Sequence, residues 1–272
     1  METKIEFYKD NLSVVILQDR KALGEKAADH AEKILIAKLK IKDELRVVFA
    51  AAPSQNEMLD SLTKKKTIDW SRITAFHMDE YIGLPQKSPQ LFSQYLQNNI
   101  FSKVNFKNVH IINSQTVDIQ KECDRYAELL QEKEIDLVCM GIGENGHIAF
   151  NDPPVADFND PKVVKVVLLD DMCRQQQVND GCFESFRDVP KSAITLTIPT
   201  LFSAQALSVV VPGTSKAEAV KQSIVDAISI QCPASILRRH KNAKLFIDQD
   251  AYSLLKDVKK QQPESLESVK EL

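Results

Sequence analysis

The stretch IDLVCMGIGENGHIAFNDPP, residues 135–154, decides the fold. It begins with an apolar run, residues 135–140, that contains one acid, Asp136. Such a run is typical of a strand buried on both faces in a parallel sheet. Glycines and His147 follow at once, so we expect polar chemistry at the carboxyl end of this strand, where open α/β sheets bind ligands.

Two other interpretations of this stretch compete with a ligand site. Gly141, Gly143 and Gly146 match the G-x-G-x-x-G pattern of dinucleotide-binding sites. That pattern needs a helix starting at the last glycine, and Asn-Asp-Pro-Pro at residues 151–154 prevents a long helix. A nicotinamide site is therefore not expected. A tight turn that places a core histidine stays open from this stretch alone.

Strands and helices alternate along the rest of the chain. Apolar runs predict strands at residues 12–17, 45–51, 73–78, 109–112, 163–169, 193–198, 206–211 and 243–247. Helices are predicted at residues 21–39, 56–65, 89–100 (capped by Ser88), 119–133, 171–182, 216–227, 232–240 and after the last strand to about 260. The alternation predicts one α/β domain over residues 1–260, with a polar tail at 261–272. Its sheet should be doubly wound, mostly parallel and Rossmann-like, with helices on both faces.

Composition excludes several classes of protein. The 272 residues carry 35 basic and 38 acidic side chains, so the net charge of −3 gives no electrostatic case for nucleic acid or an anionic membrane. No apolar run approaches the ~20 residues of a membrane span, and the charged N-terminus is not a signal peptide. Five cysteines without zinc-type spacing predict no metal site. We expect a cytosolic protein.

Two candidate catalytic residues follow predicted strands. Asp79 closes a buried strand and is a candidate general base, although the position equally suits a cap or a surface turn. His147 is the candidate proton shuttle, and Asp152 or Asn145 could fix its tautomer. Carboxyl ends of parallel strands meet at one edge, so Asp79 and His147 should lie together. His77, within its strand, is expected in the core.

Anion-binding candidates are less distinctive. Lys216 opens a helix, and its ammonium with the free N–H groups of the helix start would suit a phosphate. An ordinary first-turn lysine is the competing interpretation, as a plain N-cap is for Ser54. Arg174 is an alternative anion partner. His240 and the arginines before it are expected at the surface.

The chain resembles the glucosamine-6-phosphate deaminase family, also called glucosamine-6-phosphate isomerases, in the superfamily shared with 6-phosphogluconolactonase. The resemblance rests on FHMDEYIGL (76–84), GIGENGHIAFND (141–152), VPKSAITL (189–196) and PGTSKAEA (212–219), in an order that extends from about residue 12 to residue 250. The MDEY sequence favours the deaminase branch over the lactonase branch.

The resemblance implies roles for individual residues. Asp79 would move a proton between C2 and C1 of the opened sugar, and His147, oriented by Asp152, would assist ring opening. Lys216 and the loop around Ser54 would hold the sugar phosphate, and the substrate-binding set would also include Gln55, Glu80, Gly146 and Arg174. The implied reaction converts an amino sugar phosphate, such as glucosamine 6-phosphate, to fructose 6-phosphate and ammonia. It needs no metal or organic cofactor, and a homo-oligomer is expected.

The chain departs from the family pattern at several positions. Asn145 replaces an aspartate beside the histidine, and Asp152 replaces a glutamate. The sequence APSQN at residues 52–56 stands where the family has a glycine-rich loop, and Asn179 falls near a family arginine. These departures keep two alternatives open, a lactonase-type hydrolase and a sugar-phosphate-binding sensor without full activity.

Overall fold

The computed structural model describes residues 5–256. Its strands are β1 (Ile5–Lys9), β2 (Leu12–Leu17), β3 (Leu45–Phe49), β4 (Ile73–His77), β5 (Asp79–Tyr81), β6 (Asn108–His110), β7 (Leu137–Met140), β8 (Val164–Leu168), β9 (Ser192–Leu196), β10 (Leu207–Val211) and β11 (Ala243–Asp248). Its α-helices are α1 (Arg20–Leu39), α2 (Asn56–Thr63), α3 (Phe92–Leu96), α4 (Ile119–Gln131), α5 (Asp171–Asn179), α6 (Ile198–Phe202) and α7 (Ala217–Val225). The tail 261–272 and the end of the predicted closing helix lie outside the described residues.

Eight strands form the large sheet, in the order β1-β2-β11-β10-β7-β3-β4-β6. All its pairs are parallel except β1–β2. Strand β7 lies between β3 and β10, and all four of its residues are buried. Two clusters of buried side chains, which share no residues, contain alternate side chains of the strands. This architecture confirms the predicted mostly parallel α/β fold.

A second, antiparallel sheet is not expected from the sequence. It has three strands in the order β5-β9-β8. The prediction that the runs at residues 163–169 and 193–198 are further strands of the parallel sheet is therefore wrong. The second run also ends earlier, because β9 stops at Leu196 and α6 begins at Ile198. The first run misleads because Val166 and Leu168 are apolar but exposed on β8.

Several local predictions need correction. Helix α3 begins at Phe92 and is not capped by Ser88, whose hydroxyl donates to Gln90 instead. Its turns continue as a π-helix at Gln97–Phe101. His240 and Arg238 are buried, because His240 bonds the carbonyl of Ala204 and the Arg238 guanidinium donates to backbone carbonyls. Strand β1 has no counterpart among the predicted strands. Within residues 5–256, every helix is too short or too polar to cross a bilayer.

Candidate active site

A cavity of about 180 Å³ opens at the carboxyl ends of the parallel strands of the large sheet. Asp79 and His147 both line it, although 68 positions separate them in the sequence. Lys216 and Ser54 line it as well. The predicted convergence of these four residues on one site is therefore seen in the structure.

Asp79 lies where the chain passes from the large sheet into the small one. It is the first residue of β5, and only Met78 separates it from the end of β4 at His77. Its side chain is 6% exposed and has no hydrogen-bond partner among residues 5–256. Burial, together with the charge of Glu80, raises the pKa of Asp79 well above its ordinary value. A carboxyl group of this kind can both take up and return a proton.

Glu80 faces away from the cavity. Its carboxylate accepts from the backbone N–H groups of Tyr81, Phe92 and Ser93, at 2.9–3.0 Å, and so caps the start of α3. Glu80 belongs to the predicted substrate-binding set, but it does not line the cavity. It fixes Phe92, which does line the cavity.

His147 belongs to a network with Asn145 and Asp152. Its Nδ1 lies 2.8 Å from Asp152 Oδ1 and 2.8 Å from Asn145 Oδ1. Asn145 also accepts from the backbone N–H of His147 and donates to Asp152 Oδ1 at 2.9 Å. Nε2 has no hydrogen-bond partner in the described part of the chain. Because both oxygens are acceptors, these contacts favour a proton on Nδ1 and leave Nε2 for a substrate.

Asp152 is fully buried and ionised within this network. Burial by itself would raise the pKa of its carboxyl, but the charge and hydrogen bond of His147, together with hydrogen bonds from Asn145 and Cys173, outweigh burial and lower it. Cys173 lies beside it, and burial raises the pKa of the Cys173 thiol well above its ordinary value. Ligand atoms of His147, Asp152 and Cys173 lie within 4.8 Å of one another. A metal ion there would have to displace the proton between the imidazole and the carboxylate.

Gly143 lets the imidazole lie directly against the backbone. A Cβ atom at this position would stand 2.1 Å from Cε1 of His147. We expect Gly143→Ala to displace the ring and to lower kcat by roughly 10- to 100-fold, since a shift of about 1 Å costs about that much. Steady-state kinetics check this expectation, with a thermal melt to show that the variant is folded. Turnover at the wild-type rate would contradict it.

Gly146 has a structural role in the turn before His147. Its φ is +81°, and a Cβ would lie 2.6 Å from Cys232 Sγ. It does not line the cavity. Only glycine adopts this conformation cheaply, so Gly146 shapes the turn that presents His147. A direct contact with substrate, as predicted for Gly146, is not what the geometry indicates.

Lys216, the candidate anion-binding residue, lines the cavity. It ends the 3₁₀ turn Thr214–Lys216 before α7, and its side chain is buried. Burial lowers the pKa of the ammonium, while the carboxylates of Asp180 and Glu144 raise it. The preceding loop is held by Asp248, whose two oxygens accept from the N–H of Gly213 at 3.0 Å. The loop therefore presents Lys216 in a fixed position.

The loop at residues 52–56 lines the cavity with Ala52, Pro53 and Ser54. Ser54 does not cap α2, where Gln55 occupies the cap position without a side-chain hydrogen bond. Instead the Ser54 hydroxyl accepts from the Gln55 amide, which also donates to the carbonyl of Val210. Gln55 is buried and joins the loop to β10 rather than lining the cavity. Pro53, which does line it, has no N–H to offer an anion.

Arg174, the predicted alternative anion partner, does not line the cavity. Its Nη2 donates to the carbonyls of Phe186 and Val189, and the guanidinium lies 4.0 Å over the Phe186 ring. It is buried away from the cavity. His77 is also structural, as predicted, because its Nε2 accepts from the N–H of Ile112 and burial lowers its pKa to about 3.

Four polar residues that the sequence patterns do not mark line the cavity, namely Arg20, Gln176, Gln177 and Asp180. Arg20 begins α1 just beyond the carboxyl end of β2, a position that strand order alone could have identified. Gln176, on α5, accepts from the N–H of Glu144 and so joins α5 to the glycine-rich turn. No signal short of the fold would have marked the two glutamines.

An aromatic cluster supports the cavity from below. It consists of Tyr81, Phe92, Phe150 and Phe183, with ring centroids of contacting pairs 4.7–5.5 Å apart. The four side chains come from β5, from α3, from the turn after His147 and from the segment after α5. Asp79 and His147 are thus attached to one packed unit.

Known proteins share both the sequence and the fold. Glucosamine-6-phosphate deaminases of Bacillus thuringiensis (strain Al Hakam) and Bacillus anthracis (strain CDC 684 / NRRL 3495) are each 35% identical to the chain over 234 residues, covering 86% of it and 87% of the relative. A solved structure described as a monomeric glucosamine-6-phosphate deaminase matches with a TM-score of 0.81 and 30% identity, over 89% of this chain and 99% of the other.

The fold extends to lactonases. A 6-phosphogluconolactonase from Thermotoga maritima has a TM-score of 0.72 at 20% identity, over 88% of this chain and all of the other. The family model described as glucosamine-6-phosphate isomerases/6-phosphogluconolactonase matches residues 18–247, which include every residue that lines the cavity. The family model matches most of the chain, and relatives more than 30% identical cover most of its length. The chain therefore belongs to the glucosamine-6-phosphate isomerase/6-phosphogluconolactonase family.

Proposed function

We propose that the protein is an isomerising deaminase that converts an amino sugar phosphate, such as glucosamine 6-phosphate, to a ketose phosphate and ammonia. The observation that carries this proposal is that Asp79 and His147 line one cavity. The relatives at 35% identity that are named glucosamine-6-phosphate deaminases support the same activity.

His147 would open the sugar ring. Its Nε2 is the free nitrogen of the imidazole and can transfer a proton between the anomeric hydroxyl and the ring oxygen. Asp152 holds Nδ1 at 2.8 Å and stabilises the imidazolium that forms during the transfer. Asn145, which also contacts Nδ1, orients the ring but adds no charge. Ring opening gives the aldehyde on which the next step depends.

Asp79 would then move one proton. Its carboxylate takes the proton from C2 of the open-chain sugar while the carbonyl oxygen at C1 takes a proton from solvent, which gives an enolamine. The protonated carboxyl then returns its proton to C1. The resulting imine at C2 adds water and releases ammonia, which leaves the ketone. The raised pKa of Asp79 suits a group that must bind the proton between the two half-steps. Asp180 is the other acidic residue in the described cavity wall, and its charge acts on Lys216 instead.

The phosphate of the substrate would lie between Lys216 and the loop that carries Ser54. Lys216 is fixed by its turn, and the Ser54 hydroxyl lies close to the backbone at Gly141. The 52–56 loop at this site departs from the family pattern. The geometry of the site therefore determines which sugar phosphate can bind. An oligomeric assembly and a cytosolic location stay predictions.

Asn145 donates a hydrogen bond to Asp152 that an aspartate at the same position could not donate when ionised. We expect Asn145→Asp to destabilise the fold by about 1–3 kcal/mol at neutral pH, because it removes the donor of the 2.9 Å bond and sets two carboxylates against each other. The destabilisation should shrink as the pH falls toward about 4, where protonation of one carboxyl restores a donor. Thermal melts at several pH values measure it, with Asn159→Asp, at an exposed loop position, as the control. A deficit that does not change with pH would contradict a repulsion between the two carboxylates.

The function is tested by turnover. Purified protein is incubated with glucosamine 6-phosphate, with its C4 epimer galactosamine 6-phosphate and with 6-phosphogluconolactone, and the assays measure ammonia, ketose phosphate and released acid. We expect ammonia and ketose phosphate in equal amounts from an amino sugar phosphate. Acid release from the lactone alone would establish the hydrolase instead. Tight binding of a sugar phosphate without turnover would indicate a sensor.

A further inference from the structure

The proposed phosphate site, between Lys216 and the 52–56 loop, has only one buried cation among the described residues. Lys216 is that cation, and the carboxylates of Asp180 and Glu144 act on its charge. Pro53 removes a backbone donor from the facing loop. Arg174, the predicted alternative anion partner, is occupied by backbone carbonyls outside the cavity. A phosphate dianion at this site therefore needs a further donor.

Arg20 stands at the required place. It is the first residue of α1, whose N-cap is Asp19, and it lines the cavity beside Pro53. Its Nε and Nη2 form two bonds to the carboxylate of Glu57, at 2.8 and 3.1 Å, and Nη2 also donates to the carbonyl of Pro53. The guanidinium thus connects α1, the 52–56 loop and α2 along one edge of its plane.

One nitrogen of that guanidinium is open. Nη1 of Arg20 has no hydrogen-bond partner within residues 5–256, and the side chain is 42% exposed. The hydrogen bond with Glu57 raises the pKa of Arg20, so the group stays charged at any physiological pH. A planar guanidinium can hold a carboxylate on one edge and offer donors to a phosphate from another.

We infer that Arg20 is a phosphate-binding and specificity-determining residue, which binds the phosphate of the substrate together with Lys216. This inference rests on the proposed function for the identity of the ligand. Arg20 supplies, from the start of α1, a charged donor for an anion beside a loop that carries proline in place of a backbone donor. The site would accordingly select sugars that carry a phosphate over their unphosphorylated forms.

Binding of inorganic phosphate to the full chain, measured by calorimetry, tests the inference without any turnover. We expect Arg20→Gln to weaken binding about 10- to 100-fold, the loss of one charge-assisted contact. Lys21→Gln removes an equal charge from the exposed neighbouring position and should bind as the wild type does. Glu57→Gln keeps the guanidinium and removes its acidic partner, so phosphate binding should be equal or tighter.

A purely structural role for Arg20 gives a different pattern. If Arg20 only tied the 52–56 loop to α2, Glu57→Gln and Arg20→Gln would weaken phosphate binding equally, and the inference would be overturned. Phosphate binding that Arg20→Gln leaves unchanged, or a wild-type protein that binds no phosphate, overturns it as well. Thermal melts of each variant exclude unfolding as the cause of a loss.

Kinetics separate this inference from the proposed function. Arg20→Gln should raise KM for glucosamine 6-phosphate about 10- to 100-fold, with little change in kcat and none in kcat/KM for unphosphorylated glucosamine. If the variant turns over the substrate with the same KM as the wild type, the role of Arg20 is ruled out and the proposed function is not affected. If the protein binds phosphate through Arg20 but releases no ammonia from any amino sugar phosphate, the proposed function is ruled out and the role of Arg20 is not affected.

Discussion

Asp79→Asn is expected to lower kcat by about 10²- to 10⁴-fold, because an amide cannot take the C2 proton of the substrate. Asn is nearly the same size as Asp, and the side chain of Asp79 has no hydrogen-bond partner among the described residues that the change would break. The substitution should therefore remove the chemistry and keep the cavity. Deaminase assays with the wild type, the variant and the exposed control Asp60→Asn measure the effect.

The same substitution should make the fold more stable. Burial raises the pKa of Asp79, so the folded protein holds this proton at a pH where the unfolded chain has already released it. Stability contributed by this group is present below about pH 4 and is lost as the pH rises through the raised folded pKa. Asn does not titrate, so its advantage in melting temperature should grow with pH from about 4 upward. Equal melting temperatures of the variant and the wild type at neutral pH would contradict the raised pKa of Asp79.

The acid limb of the activity profile tests the same group independently. A general base must be deprotonated, so kcat/KM should rise with pH through the raised pKa of Asp79 rather than near the ordinary carboxyl value. An acid limb at about pH 4 would show that another group, or an unperturbed carboxyl, is the base.

His147→Asn is expected to lower deamination by about 10²- to 10⁴-fold, because the variant lacks the Nε2 that opens the ring. It should leave the enolisation step largely intact. Fructose 6-phosphate exists partly as its open-chain ketone, whose C1 proton can exchange with solvent deuterium by the action of Asp79 alone. NMR observation of that exchange separates the two roles.

The exchange experiment has three informative outcomes. We expect the His147 variant to keep more exchange than deamination, and the Asp79 variant to lose both. Equal loss of exchange and deamination in the His147 variant would place the imidazole in the proton transfer between C2 and C1. His110→Asn, on the edge strand β6 of the large sheet, is the matched control and should change neither activity.

Sequence patterns predicted the large sheet because its central strands are buried on both faces. A short continuous apolar run such as the one that ends at Met140 is typical of a strand in that environment, and the glycine turn after it marked the edge where ligands bind. The small sheet escaped prediction for a physical reason. Strand β8 is only partly buried, but its exposed positions Val166 and Leu168 are apolar, so the run has the same pattern as a strand buried on both faces.

The candidate site divides in the same way. Asp79, His147 and Lys216 could be predicted because each follows a strand or opens a helix, and such ends meet at one edge of a parallel sheet. Glu80 and Arg174 could not be placed from sequence, since both are charged, lie near candidate residues and differ from ligands only in what their side chains contact. Arg20 also follows a strand and opens a helix, but no motif marks it, and a charged residue at a helix start has many ordinary roles.

The aromatic cluster below the cavity has a consequence for how activity is acquired during folding. Its rings come from positions between 81 and 183, so they meet only after segments that are distant along the chain have docked. Contacts of such long range form late and cooperatively. A collapsed intermediate with intact helices should therefore have no deaminase activity, and refolding monitored by turnover should lag behind refolding monitored by far-ultraviolet circular dichroism.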